Sequence, residues 1–377
     1  MACSESEGGI KMRERFSIAA VLALLFTLTS AYAQTARYFV FVTNTVSNNV
    51  TAFEINPGAG KLSTVVGSPF AAGDSPNSVV ADPKGKFLYV INEAGRSVSA
   101  YTINPGTGAL TMIAGSPFPA GTKPEGIAIE PTGKFLYVAN DGSGNLSAFS
   151  INSSTGALSA ISGSPFNVGK YGSYPTGLTV DPTGKFLYVA NWSGNVFAYS
   201  IKPRSGTLSE VRGSPFATGS GPWSIVVAPT GRFVYVADSE AGTISAYSLK
   251  PNTGALTPIN GSPFAAGKSP FGFAMDPGGK FFYVANNGSG SVSAYVTNPS
   301  TGALAAVGGS PFASGTGPQG VAAEPTGKFL YVTNHAGNTI SAYAINSDTG
   351  ALSAVVGSPF TAGSNPSGLT IVKTSGP

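Results

Sequence analysis

His335 is the only histidine in the chain. An imidazole changes charge near neutral pH, so it is the first candidate for a general base or a metal ligand. Glu93 is the matching acid, a carboxylate in a loop that can polarise a water molecule. The plainer reading leaves His335 as an exposed loop residue and Glu93 as a solvated acid paired with Arg96. Glu125 and Asp141, close to Lys123, form an acidic group with one cation, and Asn287 and Gln319 add neutral hydrogen-bonding groups. Trp192, Trp223, Phe271, Tyr171 and Tyr174 offer flat faces on which a sugar or a peptide can stack, although aromatic rings also serve as packing wedges. The acids Asp141 with Glu125, and Asp238 with Glu240, are oxygen ligands of the kind calcium takes. No dense Asp/Asn/Gly loop surrounds either pair, which favours solvated acids. One histidine and a single cysteine, Cys3, do not make a usual zinc site. The expectation is no metal and no cofactor.

What positions these residues is a repeat. Gly-Ser-Pro-Phe begins at Gly67, Gly115, Gly163, Gly213, Gly261, Gly309 and Gly357, at steps of 48, 48, 50, 48, 48 and 48 residues. A fixed period of this length means one supersecondary unit repeated around or along an axis. Within the unit from Pro124 to Phe166, Gly126–Ile129 is a short strand of small and β-branched residues. Glu130-Pro131-Thr132-Gly133 is a type I turn. Phe135–Val138 is apolar on both faces and must be buried on both. Leu146–Ile151 and Leu158–Ile161 follow as a third and a weak fourth strand, and Gly-Ser-Pro-Phe closes the unit. Four antiparallel strands per unit make a propeller blade. The first blade lacks its first strand, and the chain ends on a lone one, Gly368–Val372. This predicts an all-β, seven-bladed β-propeller, residues 34–377, whose C-terminal strand joins the N-terminal blade and closes the ring.

In such a repeat the scaffold recurs and function lies in the exceptions. The turn acids Asp82, Glu130, Asp181, Asp276 and Glu324 recur, as do the basic residues Arg37, Lys86, Lys134, Lys185, Arg232, Lys280 and Lys328; both sets read as turn acceptors and solvated charges on one rim. The loop after each second strand and the loop into each first strand share the other rim. There Glu93, Asp141, Trp192, Asn287 and His335, with Asn77, Glu125, Trp223, Phe271 and Gln319, are expected to line a funnel. His335 and Glu93 fall in the seventh and second blades, too far apart to touch directly.

Tyr331-Val332-Thr333-Asn334, with variants such as Tyr89-Val90-Ile91-Asn92 and Tyr137-Val138-Ala139-Asn140, and the recurrent Pro-x-Gly-Lys-Phe turn resemble the YVTN-repeat, seven-bladed lactonase-like family, which includes 6-phosphogluconolactonase and the muconate-lactonizing propellers. The resemblance implies lactone hydrolysis, with an Arg-His pair opening a first strand and an Asn-Glu after a second. Asn92-Glu93 matches the second element. At the first, this chain carries Asn77, Glu125, Thr176, Trp223, Phe271, Gln319 and Ser367, with no Arg-His pair.

Residues 1–33 stand outside the repeat. Lys11, Arg13 and Arg15, the apolar run Phe16–Leu28 and Ala31-Tyr32-Ala33 have the form of a secretory signal peptide, too short for a stable membrane span. The protein is expected to be exported, periplasmic or extracellular, and monomeric. A net charge of +4 with no basic run excludes nucleic acid as a natural partner. On sequence alone, the leading expectation is an exported binding or interaction scaffold that holds a small molecule or a protein at the loop rim. The alternative is hydrolysis of a sugar lactone, with Glu93 and His335 as catalytic residues and Asp141, Glu125, Trp192, Trp223, Phe271, Gln319, Asn287 and Arg96 as ligand-binding ones.

Overall fold

Each repeat folds as one antiparallel sheet, and seven such sheets surround a common axis. The computed structural model describes residues 1–2, 36–169 and 173–375. Most of the expected signal segment, and Tyr171, lie outside the described residues. In the third blade the first strand is Pro124–Ile129, the second Phe135–Asn140, the third Asn145–Ile151 and the fourth Leu158–Ala160. The second strand is buried along its whole length, as its two apolar faces require. The ring closes as expected: Pro366–Thr374 pairs antiparallel with Arg37–Asn44. The last strand of the chain is therefore the innermost strand of the first blade.

One local reading needs correction. Gly-Ser-Pro-Phe does not end the blade. Phe166–Asn167 pairs again with the third strand, beside Leu158–Ala160, so the tetrapeptide interrupts the outermost strand. The serine explains how the interruption is tolerated. The Ser164 amide donates to the Ile161 carbonyl, and its hydroxyl accepts from the Ala148 amide at 3.0 Å. That amide belongs to the third strand and would otherwise face a gap in the ladder. All seven serines make this bond.

Neighbouring blades are joined through the tyrosine of the YVTN-like motif and the glycine of the turn between the next blade's third and fourth strands. The buried Tyr89 hydroxyl of the second blade donates to the Gly156 carbonyl of the third at 2.8 Å. Five more tyrosines do the same around the ring, ending with Tyr331 on Gly60 of the first blade. The first blade has Phe41 in this position. Its contact with the second blade instead uses Arg37, which donates to Gly106, and Thr374, which donates to Pro105 at 2.8 Å. Tyr89→Phe should lower stability by about 1–3 kcal/mol, since it leaves a buried carbonyl without its donor. A denaturation midpoint equal to the parent's would show that the bond contributes nothing.

The recurrent charges are more engaged than solvated. The Asp82 carboxylate accepts from the Lys86 and Phe87 amides, both at 2.6 Å, and is buried. Lys86 reaches Ser154 of the next blade at 3.0 Å and lies over the Phe87 ring.

The asparagine that closes each YVTN-like motif is also scaffold. Asn92 accepts from the Gly73 amide and donates to Ser97 and Ser99, which ties the loop entering the blade to its third strand. The fifth blade has Asp238 here. Burial pushes its carboxyl pKa up, while Ser245, Thr218, Thr243 and the Gly219 amide oppose the shift. Its oxygens are therefore held by the fold, not offered to an ion with Glu240.

Candidate functional site

The central channel is built by a repeated irregularity. Each first strand opens on a proline, and the pairing register shifts just after it. Such a bulge frees one residue from the ladder and re-aims its side chain. The residue so released is Asn77, Glu125, Thr176, Trp223, Phe271, Gln319 or Ser367, blade by blade, and all seven line the axial cavity of about 210 Å³. The crowding that follows favours a small residue at the next position, glycine in five blades and serine (Ser78, Ser224) in two. A Cβ on Gly272 would lie 2.0 Å from the Gln319 carbonyl oxygen, and one on Gly126 would lie 2.3 Å from that of Thr176. Glycine lets these inner strands approach closely enough to close the ring.

Glu125 is the group with the most altered chemistry. Its side chain is 9% exposed. Asn77, from the preceding blade, donates to its Oε2 at 2.9 Å. Lys123 lies 3.5 Å from its Oε1 but is bonded more closely to Asp141, at 2.7 Å. Most of the cation's attraction is thereby spent on Asp141, and the cost of burying a carboxylate prevails. Burial, reinforced by the charges of Glu93 and Asp141 and opposed by Lys123, lifts the Glu125 pKa to about 7. The Lys123 pKa is raised chiefly by its hydrogen bond to Asp141, so the ammonium stays charged through neutral pH. The buried Asn77 Oδ1 has no hydrogen-bond donor; a hydroxyl reaching it would relieve that cost.

Beside this group lies an outer pocket of about 370 Å³, lined by Lys123, Asp141, Tyr174, Thr176, Trp192 and Trp223. Thr176 and Trp223 also line the axial cavity, so the two spaces adjoin at these side chains. Trp192 meets Trp223 edge to face at 5.7 Å, and Trp223 lies against Phe271 at 4.7 Å.

The structure thus brings together Glu125, Asp141, Trp192, Trp223, Phe271 and Gln319, with Gln319 accepting from Ser367 at 3.0 Å. It does not bring Glu93, His335, Asn287 or Arg96 to the lining of either cavity. Arg96 is exposed, in a left-handed turn position at φ 49°, and makes no ion pair with Glu93. His335 is half-buried, with Nδ1 3.2 Å from Asn365 Nδ2, and burial lowers its pKa. Glu93 acts at a distance, as a like charge on Glu125. Glu93→Gln should therefore move the Glu125 titration to lower pH, read by the NMR shift of its side-chain carboxyl carbon. An unmoved titration would remove Glu93 from the account.

The repeat pattern puts Glu125 and Asn77 in the same funnel as Glu93 and His335 and does not distinguish them. The usable signal was their shared slot in adjacent blades, which sets an amide beside a carboxyl.

A family model described as Lactonase, 7-bladed beta-propeller matches residues 30–221 and 213–317. The chain belongs to that family. No curated protein matches this lactonase-family chain. Among solved structures it is similar to a Bacteroides uniformis protein provisionally described as a 6-phosphogluconolactonase, with 21% identity, a TM-score of 0.79, and 89% of this chain and 99% of that one covered. It is also similar to a periplasmic gluconolactonase of Pseudomonas aeruginosa, with 19% identity, a TM-score of 0.77, and 90% and 99% covered. Kuenenia stuttgartiensis hydrazine synthase shares the fold at a TM-score of 0.61 and 22% identity, with 82% and 92% covered. Likeness at these identities concerns the fold, which hosts more than one chemistry.

Proposed function

We propose that this propeller hydrolyses a sugar lactone, with Glu125 as the general base. The observation that carries the reading is a carboxyl with a pKa of about 7 in the axial cavity, held by Asn77 and flanked by a protonated lysine. A group that is half ionised near the working pH is suited to taking and returning one proton. Water adds to the lactone carbonyl carbon as its proton passes to the Glu125 carboxylate. The carbonyl oxygen takes up negative charge in the tetrahedral intermediate. Collapse of that oxyanion breaks the bond to the ring oxygen, which takes the proton from Glu125 and leaves as a hydroxyl. The product is the open hydroxy acid.

Membership of the lactonase family supports this reading. So does similarity to a protein described as a periplasmic gluconolactonase, which also fits the expectation that the chain works outside the cytoplasm. Among the described residues no helix is long and apolar enough to cross a membrane.

A panel of lactones, including glucono-1,5-lactone and 6-phosphogluconolactone, tests the proposal by acid release after subtraction of the spontaneous rate. Glu93→Ala and His335→Ala are run alongside. Turnover above background that survives His335→Ala is expected. Turnover abolished by His335→Ala would move the chemistry to the seventh blade. The second reading is a binding scaffold, favoured by the absence of an Arg-His pair; it predicts ligand retention with no turnover on any member of the panel.

A further inference from the structure

The axial cavity, at about 210 Å³, is smaller than the roughly 300–1,000 Å³ that usually encloses a ligand. The outer pocket, at about 370 Å³, reaches that size by itself and adjoins the axial cavity at Thr176 and Trp223. The outer pocket has an aromatic wall and almost no uncompensated positive charge. The perpendicular contact of Trp192 with Trp223 engages an edge of one ring with the face of the other, and keeps Trp192 from stacking flat on its neighbour. The cation of the pocket, Lys123, is paired with Asp141 at 2.7 Å and lies 3.5 Å from Glu125. A phosphate entering here would meet two carboxyl groups and an ammonium already engaged. A sugar ring would set its C–H face on an indole and its hydroxyls near the Asp141 carboxylate and Tyr174, which is 49% exposed.

We propose that the outer pocket is a second sugar subsite, and that the substrate is a disaccharide aldonolactone whose uncharged pyranose ring stacks on Trp192 while its lactone ring lies at Glu125. This rests on the lactone-hydrolase reading for the inner ring alone; the outer subsite stands on its own geometry.

Two measurements separate them. The first is kcat/KM for cellobiono-1,5-lactone, glucono-1,5-lactone and 6-phosphogluconolactone, in the parent, Trp192→Ala and Trp192→Phe. The disaccharide lactone should be preferred over glucono-1,5-lactone by about tenfold or more, which corresponds to about 1.4 kcal/mol of added transition-state binding. The phosphorylated lactone should show no advantage. Trp192→Ala should bring the ratio of disaccharide to monosaccharide close to one, and Trp192→Phe should restore part of it. The second is binding of cellobionic acid, the unreactive open acid, followed by calorimetry, which does not depend on turnover. Binding that is weakened about tenfold or more in Trp192→Ala, with no lactone hydrolysed, would uphold the subsite and overturn the lactonase reading. Hydrolysis with equal ratios in parent and variant, or with the phosphorylated lactone preferred, would overturn the subsite and leave the lactonase reading in place.

Discussion

Glu125→Gln should lower lactone turnover by about 10²–10⁴-fold, the usual worth of a positioned general base, while the folded protein becomes more stable above neutral pH. The two effects share one cause. Folding lifts the Glu125 pKa to about 7, above the ordinary carboxyl value, so the folded state binds this proton more tightly than the unfolded chain does. The stability that this proton confers is fully present below the ordinary carboxyl range. It is lost as pH rises through about 7, and amounts to about 3 kcal/mol at most. Glutamine is neutral at every pH and keeps the size of the side chain, so the loss disappears. A variant that is less active and more stable above neutral pH cannot owe its inactivity to misfolding. Denaturation midpoints taken on both sides of neutrality, with the rates, check this. Full activity in Glu125→Gln would remove the carboxyl from the chemistry. An inactive variant that is destabilised at every pH would make Glu125 a structural residue.

Gly156→Ala should destabilise the fold by about 2–5 kcal/mol. Gly156 lies at φ +77°, and a Cβ there would meet Phe87 of the preceding blade at 2.5 Å and Ile113 at 2.6 Å. The left-handed backbone costs a residue with a side chain about 1–2 kcal/mol. Forcing a methyl group against the Phe87 ring adds about 1–3 kcal/mol. The same carbonyl takes the Tyr89 hydroxyl, so movement that relieves the clash also breaks that bond. Gly308→Ala is the control: nothing lies within 4 Å of its Cβ position, and the same slot holds Val66 and Val356 in other blades. Denaturant unfolding should separate the two variants clearly. Equal midpoints would mean that the blades are not locked together through these turns.

These two residues show how differently fold and site are written in the chain. The fold was legible because the same requirement recurs. Every blade must bury a second strand on both faces, bridge an interrupted outer strand with a serine and admit a phenylalanine ring over a glycine. The period, the strand order and the ring closure follow from that recurrence. The tetrapeptide reads locally as an end, because its role depends on a hydroxyl reaching the third strand, a contact between segments that local turn rules do not describe.

The site was legible only as a set of positions. That Asn77, Glu125, Trp223, Phe271 and Gln319 share one slot is visible in the repeat. That Glu125 is the perturbed acid depends on contacts between blades, namely Asn77 from the second, and on Lys123 being engaged by Asp141. Residue types that look reactive in a sequence, such as the only histidine, gain their chemistry from burial and neighbours, and His335 faces Asn365 outside both cavities.

The central claim is that Glu125 titrates near neutrality and activates water at the mouth of the axial cavity. Its most direct test is the pH dependence of kcat/KM for glucono-1,5-lactone, with the spontaneous rate subtracted at each pH, in the parent and in Glu125→Gln. The account predicts a rate that rises with pH through an apparent pKa near 7 in the parent, and the loss of that rise in the variant. A folded parent whose rate equals the spontaneous rate at every pH, or a limb that persists unchanged in Glu125→Gln, would contradict it.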